Sequence, residues 1–566
     1  MARSSLSTAR LFAILGKELS ETELREVLFR TKVEIESIQD GQVEVEGNAD
    51  RLDLLDEGGL ALELQGSLGS ASGLPGGPPG AALPGVEARV NASVSPLRPE
   101  LEMAVVVAPE GSTGLDAGLI EELVRYQELL HATLGRVRKA ASIGLYPLER
   151  LEPPFHYAME TLGQVRFTPL GGSAEVGADT FYSEHAMARE FGTLGRKDDL
   201  ALTLRDNART VLSLPPVLNA AGAGEVRPGD RRVLIESTGT RAARTREMVG
   251  YMLLPFAARG WSVHPVPVHR PDTSVDGVEV VSPRRLPVQA TLINRLLGSR
   301  LTSAEIEHAL LSARLGVERA SGSLHALVPP WRADLLAPVD LAEEVAIARG
   351  FASFAPILPP AMSMGRRRPD RRFEVQLGDV LLGLGYQELN TQVLVSPASA
   401  ERFSEPGEAL HLLNPITTEL SYARPVLRTS LLDALERNTR SSYPQRFFEI
   451  GSVIVRDADA DTGTRTEVHL ALVDAGELAG FALAAGVAER LFEVLGFSTP
   501  REPAEARGCV PGRVAKLRIA GELIGLVGEV HPSVLSELKV QVPVSWVELD
   551  LSRLERLRGL LPNKAG

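Results

Sequence analysis

Cysteine is almost absent. The single one, Cys509, rules out an intramolecular disulfide and a cysteine-built zinc site, and it fits a reducing compartment. Long apolar runs are missing too. No window approaches the roughly 18 uncharged apolar residues that a membrane span needs. The LFAIL run near the start gives way at once to Lys17 and Glu18, too short for a secretory signal. The expectation is a cytoplasmic chain with no membrane partner. Basic charge is in deficit: 60 Lys and Arg against 73 Asp and Glu leave a net charge of −13. Steering by the whole molecule would repel phosphate, so any RNA contact must come from local patches. The GRRRPDRR run at residues 365–372 is one such patch, or else a solvated linker between domains.

What is present is a repeat. In 566 residues, 44% of them apolar, there is room for about three or four domains with ordinary soluble cores. Residues 11–64 and 293–348 share a pattern. Each opens with an apolar turn ending in glycine, Gly16 or Gly298. A capping box follows, Ser20 with Glu23 or Thr302 with Glu305, and starts a helix. Then come a hairpin-like stretch and an Arg-x-Asp-Leu-Leu turn, at 51–55 and 332–336. Self-similarity of this kind implies a duplicated module.

The pattern divides the chain into a first module at 1–64, a Gly/Pro-rich linker at 65–87, a domain at 88–275, a second module at 283–352 and a last domain at 360–560. The linker's composition cannot bury a face and reads as flexible. The 88–275 domain reads as α+β. It has a strand at 102–108, a helix over 119–134, short strands at 210–214 and 232–236, and a helix at 248–258. The second short strand runs into Ser237-Thr238-Gly239-Thr240, a turn signal, and the Gly, Pro and Arg density of 131–158 suggests a loop-rich surface. After the Pro-rich junction at 354–369, the last domain predicts a helix at 373–385 and then alternating strands and helices.

The second module keeps an acidic cluster: Asp334, Asp340, Glu343 and Glu344. Converging carboxylates with no basic neighbour repel one another, and a hard divalent cation such as magnesium or calcium resolves the repulsion. The competing reading is an ordinary capping box of Asp340 with Glu343. The first copy reads Gly58-Gly59-Leu60 after Glu57 and predicts no metal.

Successive stretches along the chain resemble one family, the β subunit of phenylalanyl–tRNA synthetase in its archaeal and eukaryotic form. They are VEVEGNADRLDLL, YQELLHATLGRVRKAASIGLY, LEPPFHY, LSLPPVLN, IESTGT, PPWRADLLAPVDLAEEVAIARGF, RPVLRTSLLDALERNTRSSYPQRFFEIGSV and IGLVGEVHPSVL. Their order carries the resemblance, which covers nearly the whole chain outside the linker. It implies an α+β multidomain protein: two related small α/β modules, a tRNA-editing domain, and a degenerate class II synthetase-like antiparallel-sheet domain. It implies an aminoacyl–tRNA synthetase subunit that supports ATP-dependent charging of tRNA(Phe) by an α subunit, in an α2β2 tetramer, and hydrolyses mis-charged Tyr–tRNA(Phe). It maps magnesium ligands onto Asp334, Asp340, Glu343 and Glu344, leaves ATP to the α subunit, and places an editing pocket at Leu204, Ser213, Asn219, Glu236 and Thr238. Glu236, where the family often has the shorter Asp, would accept the tyrosine phenol; Ser213, Asn219 and Thr238 would position the ester or a water. For Ser213 and Asn219 the alternative is turn chemistry around Pro215 and Pro216.

No base and nucleophile pair is evident. His131, His156 and His185 read as solvated surface residues, so positioned water is expected rather than covalent catalysis. In the last domain, a working class II site needs an Arg in a Phe-Arg-x-Glu strand and a second Arg after a Gly-rich strand. The chain reads Arg446-Phe447-Phe448-Glu449, with the wrong spacing, and has Val530 at the second place. No catalytic residue for aminoacylation is therefore expected here. Two other classes fit parts of the sequence: a stand-alone aminoacyl–tRNA deacylase, and a non-catalytic tRNA-binding scaffold.

Overall fold

The computed structural model describes residues 2–320, 322–358, 364–405, 407–498 and 500–558. It falls into two units, Met1–Leu358 and Pro359–Gly566. Within the Pro-rich junction, residues 359–363 lie outside the described residues, as do the last two positions of the predicted 360–560 domain.

In the first unit the two repeat copies have the same topology. The first copy's sheet runs Ala2–Ser7, Gln42–Gly47, Val33–Gln39, all antiparallel; the second's runs Arg284–Pro287, Ser323–Val328, Gly316–Ala320. The first helices, Thr8–Leu15 and Ala290–Leu297, both end on a left-handed glycine, Gly16 (φ 76°) and Gly298 (φ 61°). The next, Glu21–Leu28 and Ser303–Ser312, both start from complete capping boxes. The third helices, Glu57–Ser67 and Asp340–Arg349, diverge. The first copy's is buried against the long helix Ala242–Ala257, and a Cβ at Gly59 would lie 2.8 Å from the Leu254 side chain and 1.9 Å from the Asp53 carbonyl. In register with the shared Arg-x-Asp-Leu-Leu turn, Gly58 and Gly59 stand where the second copy has Val339 and Asp340, and the approach of Leu254 and the Asp53 carbonyl leaves no room for a side chain at Gly59.

The glycine- and proline-rich stretch after the first copy is not the flexible linker its composition predicts. Gly73 donates to the Leu311 carbonyl and Gly80 to the Val263 carbonyl, both at 2.8 Å, and Leu74 lies against Gly316 of the second copy. It is a strap whose backbone amides find partners on two neighbouring elements, something composition does not report.

Between the copies sit two facing sheets. The first has four antiparallel strands in the order Ser262–Pro265, Glu100–Val107, Arg232–Gly239, Ala141–Pro147. Helices Ala117–Ala132 and Ala242–Ala257 cover its outer face through Val106, Leu145, Val233 and Ile235. The second sheet is mixed and includes, side by side, Leu218–Asn219, Val211–Leu214, Leu200–Arg205 and Phe155–Thr161. Between the sheets lie Met103, Val105, Tyr146, Leu234, Tyr157, Leu202 and Leu204. Two expectations fail here. Ala141–Pro147 is a fully buried strand rather than surface loop, and the Arg232 strand continues through Gly239 instead of turning at Ser237.

The second unit is built on a seven-stranded sheet, Gln387–Glu388, Gln445–Arg456, Thr464–Ala475, Val544–Asp550, Glu522–Val530, Cys509–Ile519, Arg501–Ala504, antiparallel except for the first pair. Helices Pro369–Gly383, Phe481–Val494 and Leu551–Arg558 pack on one face around Phe448, Leu472 and Val547. Helix Arg428–Arg437 packs on the other, around Phe447, Val473 and Trp546. Among the described residues, no helix is long and apolar enough to cross a membrane.

Candidate functional site

Strand register brings most of the expected pocket together. Leu204 pairs with Ser213, and Ser213 pairs with Asn219, so these three lie abreast on neighbouring strands of the mixed sheet. Glu236 and Thr238 stand two residues apart on the facing sheet and therefore share its inner face. Tyr146, which the sequence reading did not single out, joins the two sheets. Its hydroxyl lies 3.0 Å from Glu236 Oε2 and 2.9 Å from Ser213 Oγ. With one proton to give, the phenol donates to the carboxylate and accepts from the serine. Asn219 is half spent: its Nδ2 donates to the Gly224 carbonyl at 3.0 Å, in keeping with the turn reading.

The electrostatics are those of a buried acid. Glu236 is 2% exposed, and its Oε1 has no hydrogen-bond partner. Burial pushes its carboxyl up to about 7, against the opposing pulls of the Tyr146 hydrogen bond, the Arg98 charge and the nearby Thr238 hydroxyl. Arg98 is itself buried. It donates to the Thr238 carbonyl (2.6 Å), Ser142 Oγ (3.2 Å) and the Arg138 carbonyl (2.9 Å). A carboxyl raised on folding favours the folded state at low pH, and that advantage is lost as pH rises through about 7. Glu236→Gln removes this titration. Relative to the unsubstituted chain, the variant is expected to gain about 2 kcal/mol of stability between pH 5 and pH 8, read from denaturant midpoints at both.

None of the three histidines hydrogen-bonds a residue of this pocket. His156 pairs with Arg205 across strands, and His185 stacks on Phe181 and caps the next helix. His131 is not on the surface as expected. It is buried, its Nε2 accepts from the Ile143 amide at 2.9 Å, and burial lowers its pKa.

The acidic cluster of the second copy is not the arrangement expected, because its carboxylates do have basic neighbours. Arg332, 3% exposed, forms a two-bond pair with Asp334 (2.9 and 2.8 Å) and reaches Glu344 Oε1 at 2.7 Å. Asp340 turns back to accept from the Leu336 and Ala337 amides, so it makes no capping box with Glu343 either. Glu343 points outward to Lys32 at 3.1 Å, while Glu344 is buried, so the two do not share an exposed face. With Arg332 already neutralising two of the four, Asp334, Asp340, Glu343 and Glu344 do not fit a resident divalent cation.

Two other groups of potential ligands come together among the described residues: Asp56, Glu57 and Glu122, and Glu467, His469 and Asp550. In the first, guanidinium groups of Arg10, Arg125 and Arg259 hold Glu57 and Glu122, and Asp56 accepts from the Gly58 and Gly59 amides. In the second, burial opposes the charge on His469, but hydrogen bonds to Glu467 and Glu548 push its pKa up to about 9. Both ring nitrogens then carry protons, and neither offers a lone pair to a metal.

On the face of the second unit's sheet that carries helix Arg428–Arg437, every buried cation is paired. Arg424 meets Glu449 at 3.0 Å, and Arg428 meets Glu548 at 2.8 Å while stacking between Phe403 and Trp546. Arg446 is tied to Asp474 at 2.9 Å, and Val530 is buried.

Known proteins match both units. The tRNA synthetase B5 domain family matches residues 286–351, and the phenylalanyl tRNA synthetase beta chain CLM domain family matches residues 356–551. A phenylalanine–tRNA ligase β subunit of Korarchaeum cryptofilum is 32% identical over 545 residues, spanning 95% of this chain and 96% of the relative. One from Aeropyrum pernix is 32% identical over 550 residues, spanning 97% of each. The crystal structure of an N-terminal fragment of the Pyrococcus horikoshii phenylalanyl–tRNA synthetase β subunit superposes with a TM-score of 0.56 at 25% identity, covering 61% of this chain and 99% of the fragment.

Proposed function

The chain belongs to the phenylalanine–tRNA ligase β subunits, and we propose that within that enzyme it supplies hydrolytic editing while an α subunit supplies synthesis. It is an aminoacyl–tRNA synthetase subunit. The partners that follow are an α subunit, in an α2β2 assembly, and tRNA(Phe), in the cytoplasm. The facing-sheet domain removes tyrosine from mis-charged Tyr–tRNA(Phe). The second unit is the class II-like sheet that has given up its ATP site.

The observation that carries the editing reading is Glu236: a carboxyl group sunk between two sheets and bonded to a phenol. Tyrosine and phenylalanine differ by one hydroxyl. A site built to bond that hydroxyl rejects the amino acid lacking it, because the site's own buried group is then left bare. Ser213 and Thr238 line the same interior and would orient the ester. A water then attacks the carbonyl carbon, the ester bond to the ribose breaks, and the tRNA hydroxyl leaves with a proton as free tyrosine forms. The reading routes no step through magnesium.

The test is deacylation of Tyr–tRNA(Phe) by the subunit with its α partner. Glu236→Ala removes the phenol's hydrogen-bond partner and is expected to lower kcat/KM about 10–100-fold. Equal rates for the variant and the unsubstituted enzyme would take Glu236 out of the site.

A further inference from the structure

The contact that Glu236 is assigned to make with substrate is one it already makes with its own chain. A tyrosine hydroxyl, that of Tyr146, sits on Glu236 Oε2 at 3.0 Å. Tyr146 is wholly buried and lies across Gly144 of its own strand, the cross-strand partner of Glu236. A Cβ at Gly144 would fall 2.4 Å from the Tyr146 hydroxyl and 2.7 Å from Glu236 Oε2, so only glycine leaves room for the pair. Leu204, Ser213, Glu236 and Thr238 are each no more than 2% exposed. A tyrosyl group therefore reaches the carboxylate only if a covering side chain yields, and Tyr146 is the one bonded to it.

We propose that Tyr146 is a specificity-determining residue of the hydrolytic site: its phenol occupies the subsite of the substrate's phenol, and a tyrosyl ester enters by exchanging its hydroxyl for that of Tyr146 on Glu236. The proposal rests on the editing reading above. The exchange replaces one phenol–carboxylate hydrogen bond with another and is close to neutral. A phenylalanyl ester entering the same way would strip Glu236 of its donor and return none, a discrimination of about 10–100-fold. The internal phenol also lowers apparent affinity for the correct ester by the fraction of time it holds the subsite.

Side-chain analogues give a direct test on the full-length chain. In Tyr146→Ala, p-cresol is expected to raise Tm and to bind about 10-fold tighter than toluene. The unsubstituted chain should respond to neither, and Tyr146→Ala combined with Glu236→Ala should lose the preference. Tyr146→Phe keeps the ring and removes only its hydrogen bond. With the α partner present, its KM for Tyr–tRNA(Phe) is expected to fall about 10-fold at unchanged kcat. Equal binding of p-cresol and toluene to Tyr146→Ala would overturn the proposal. So would a Tyr146→Phe enzyme with reduced kcat and unchanged KM, since Tyr146 would then merely support Glu236. That kinetic split decides the matter even if Tyr146→Ala fails to fold. Absence of Tyr–tRNA(Phe) deacylation by the unsubstituted enzyme would instead sink the editing reading, and the p-cresol titration would still report whether a phenol subsite exists.

Discussion

Phenylalanine-dependent ATP–pyrophosphate exchange is expected to be absent from the chain alone and to appear on addition of an α partner. Adenylation needs fixed cations, free of carboxylates, aimed at the phosphorus as negative charge develops. On the face of the second unit's sheet that carries helix Arg428–Arg437, Arg424 is committed to Glu449 and Arg428 to Glu548. Arg424 also donates to the Ser452 carbonyl and Thr391 Oγ1. Glu548 is held besides by the Leu427 amide and His469, so releasing its guanidinium would break a closed network. Arg446 is engaged with Asp474, which also takes the Tyr386 hydroxyl. The position where a second arginine would be needed is the buried Val530. Exchange above background from the chain alone, at saturating ATP and phenylalanine, would refute this account of the second unit.

Arg332→Met is expected to destabilise the first unit by about 3 kcal/mol at pH 7, because it removes the cation that both inward carboxylates pair with and leaves only the more distant Arg51. Asp334 and Glu344 are 6% and 2% exposed at their side chains and both pair with that guanidinium, while the charge of buried Arg51 also acts on each. Burial alone would raise the Asp334 pKa, but the adjacent Arg332 overrides it and holds the carboxyl below its ordinary value. A depressed carboxyl contributes stability above its unfolded pKa, near 4, and loses it as pH falls through the folded value. The penalty of Arg332→Met should therefore shrink below about pH 4, which urea midpoints at pH 7 and pH 3.5 would reveal. An unchanged midpoint at pH 7 would mean that the pair contributes nothing net.

The parts legible in the sequence were those whose signals are local. Ser20 with Glu23 and Thr302 with Glu305 are capping boxes in the folded chain, and Gly16 and Gly298 do take the left-handed conformation. The long strands of the second unit could be read because apolar runs of that length end at clear turns. Signals that depend on what lies across the fold were not legible. Ser237 to Gly239 looks like a turn until strands on both sides claim its backbone groups. Ala141–Pro147, buried on both faces, has no alternation to betray it. The pairing of Arg332 with Asp334 spans only two residues, yet its reach to Glu344 depends on how the turn folds back. Leu204, Ser213, Asn219, Glu236 and Thr238 could be named from family resemblance, but Tyr146, set in a stretch taken for loop, could not.

The docking of the first repeat copy has a consequence for synthesis on the ribosome. Its third helix waits for the Ala242–Ala257 helix, its strap for Leu311, and its Lys32 for Glu343. At about 5–20 residues per second, those partners emerge roughly 10–60 s after the copy itself. For that interval the Gly58 and Gly59 face of its third helix, which ends against Leu254, Pro255 and Ala258, stays uncovered. A truncated message ending before the long helix should yield aggregates rather than a free-standing module.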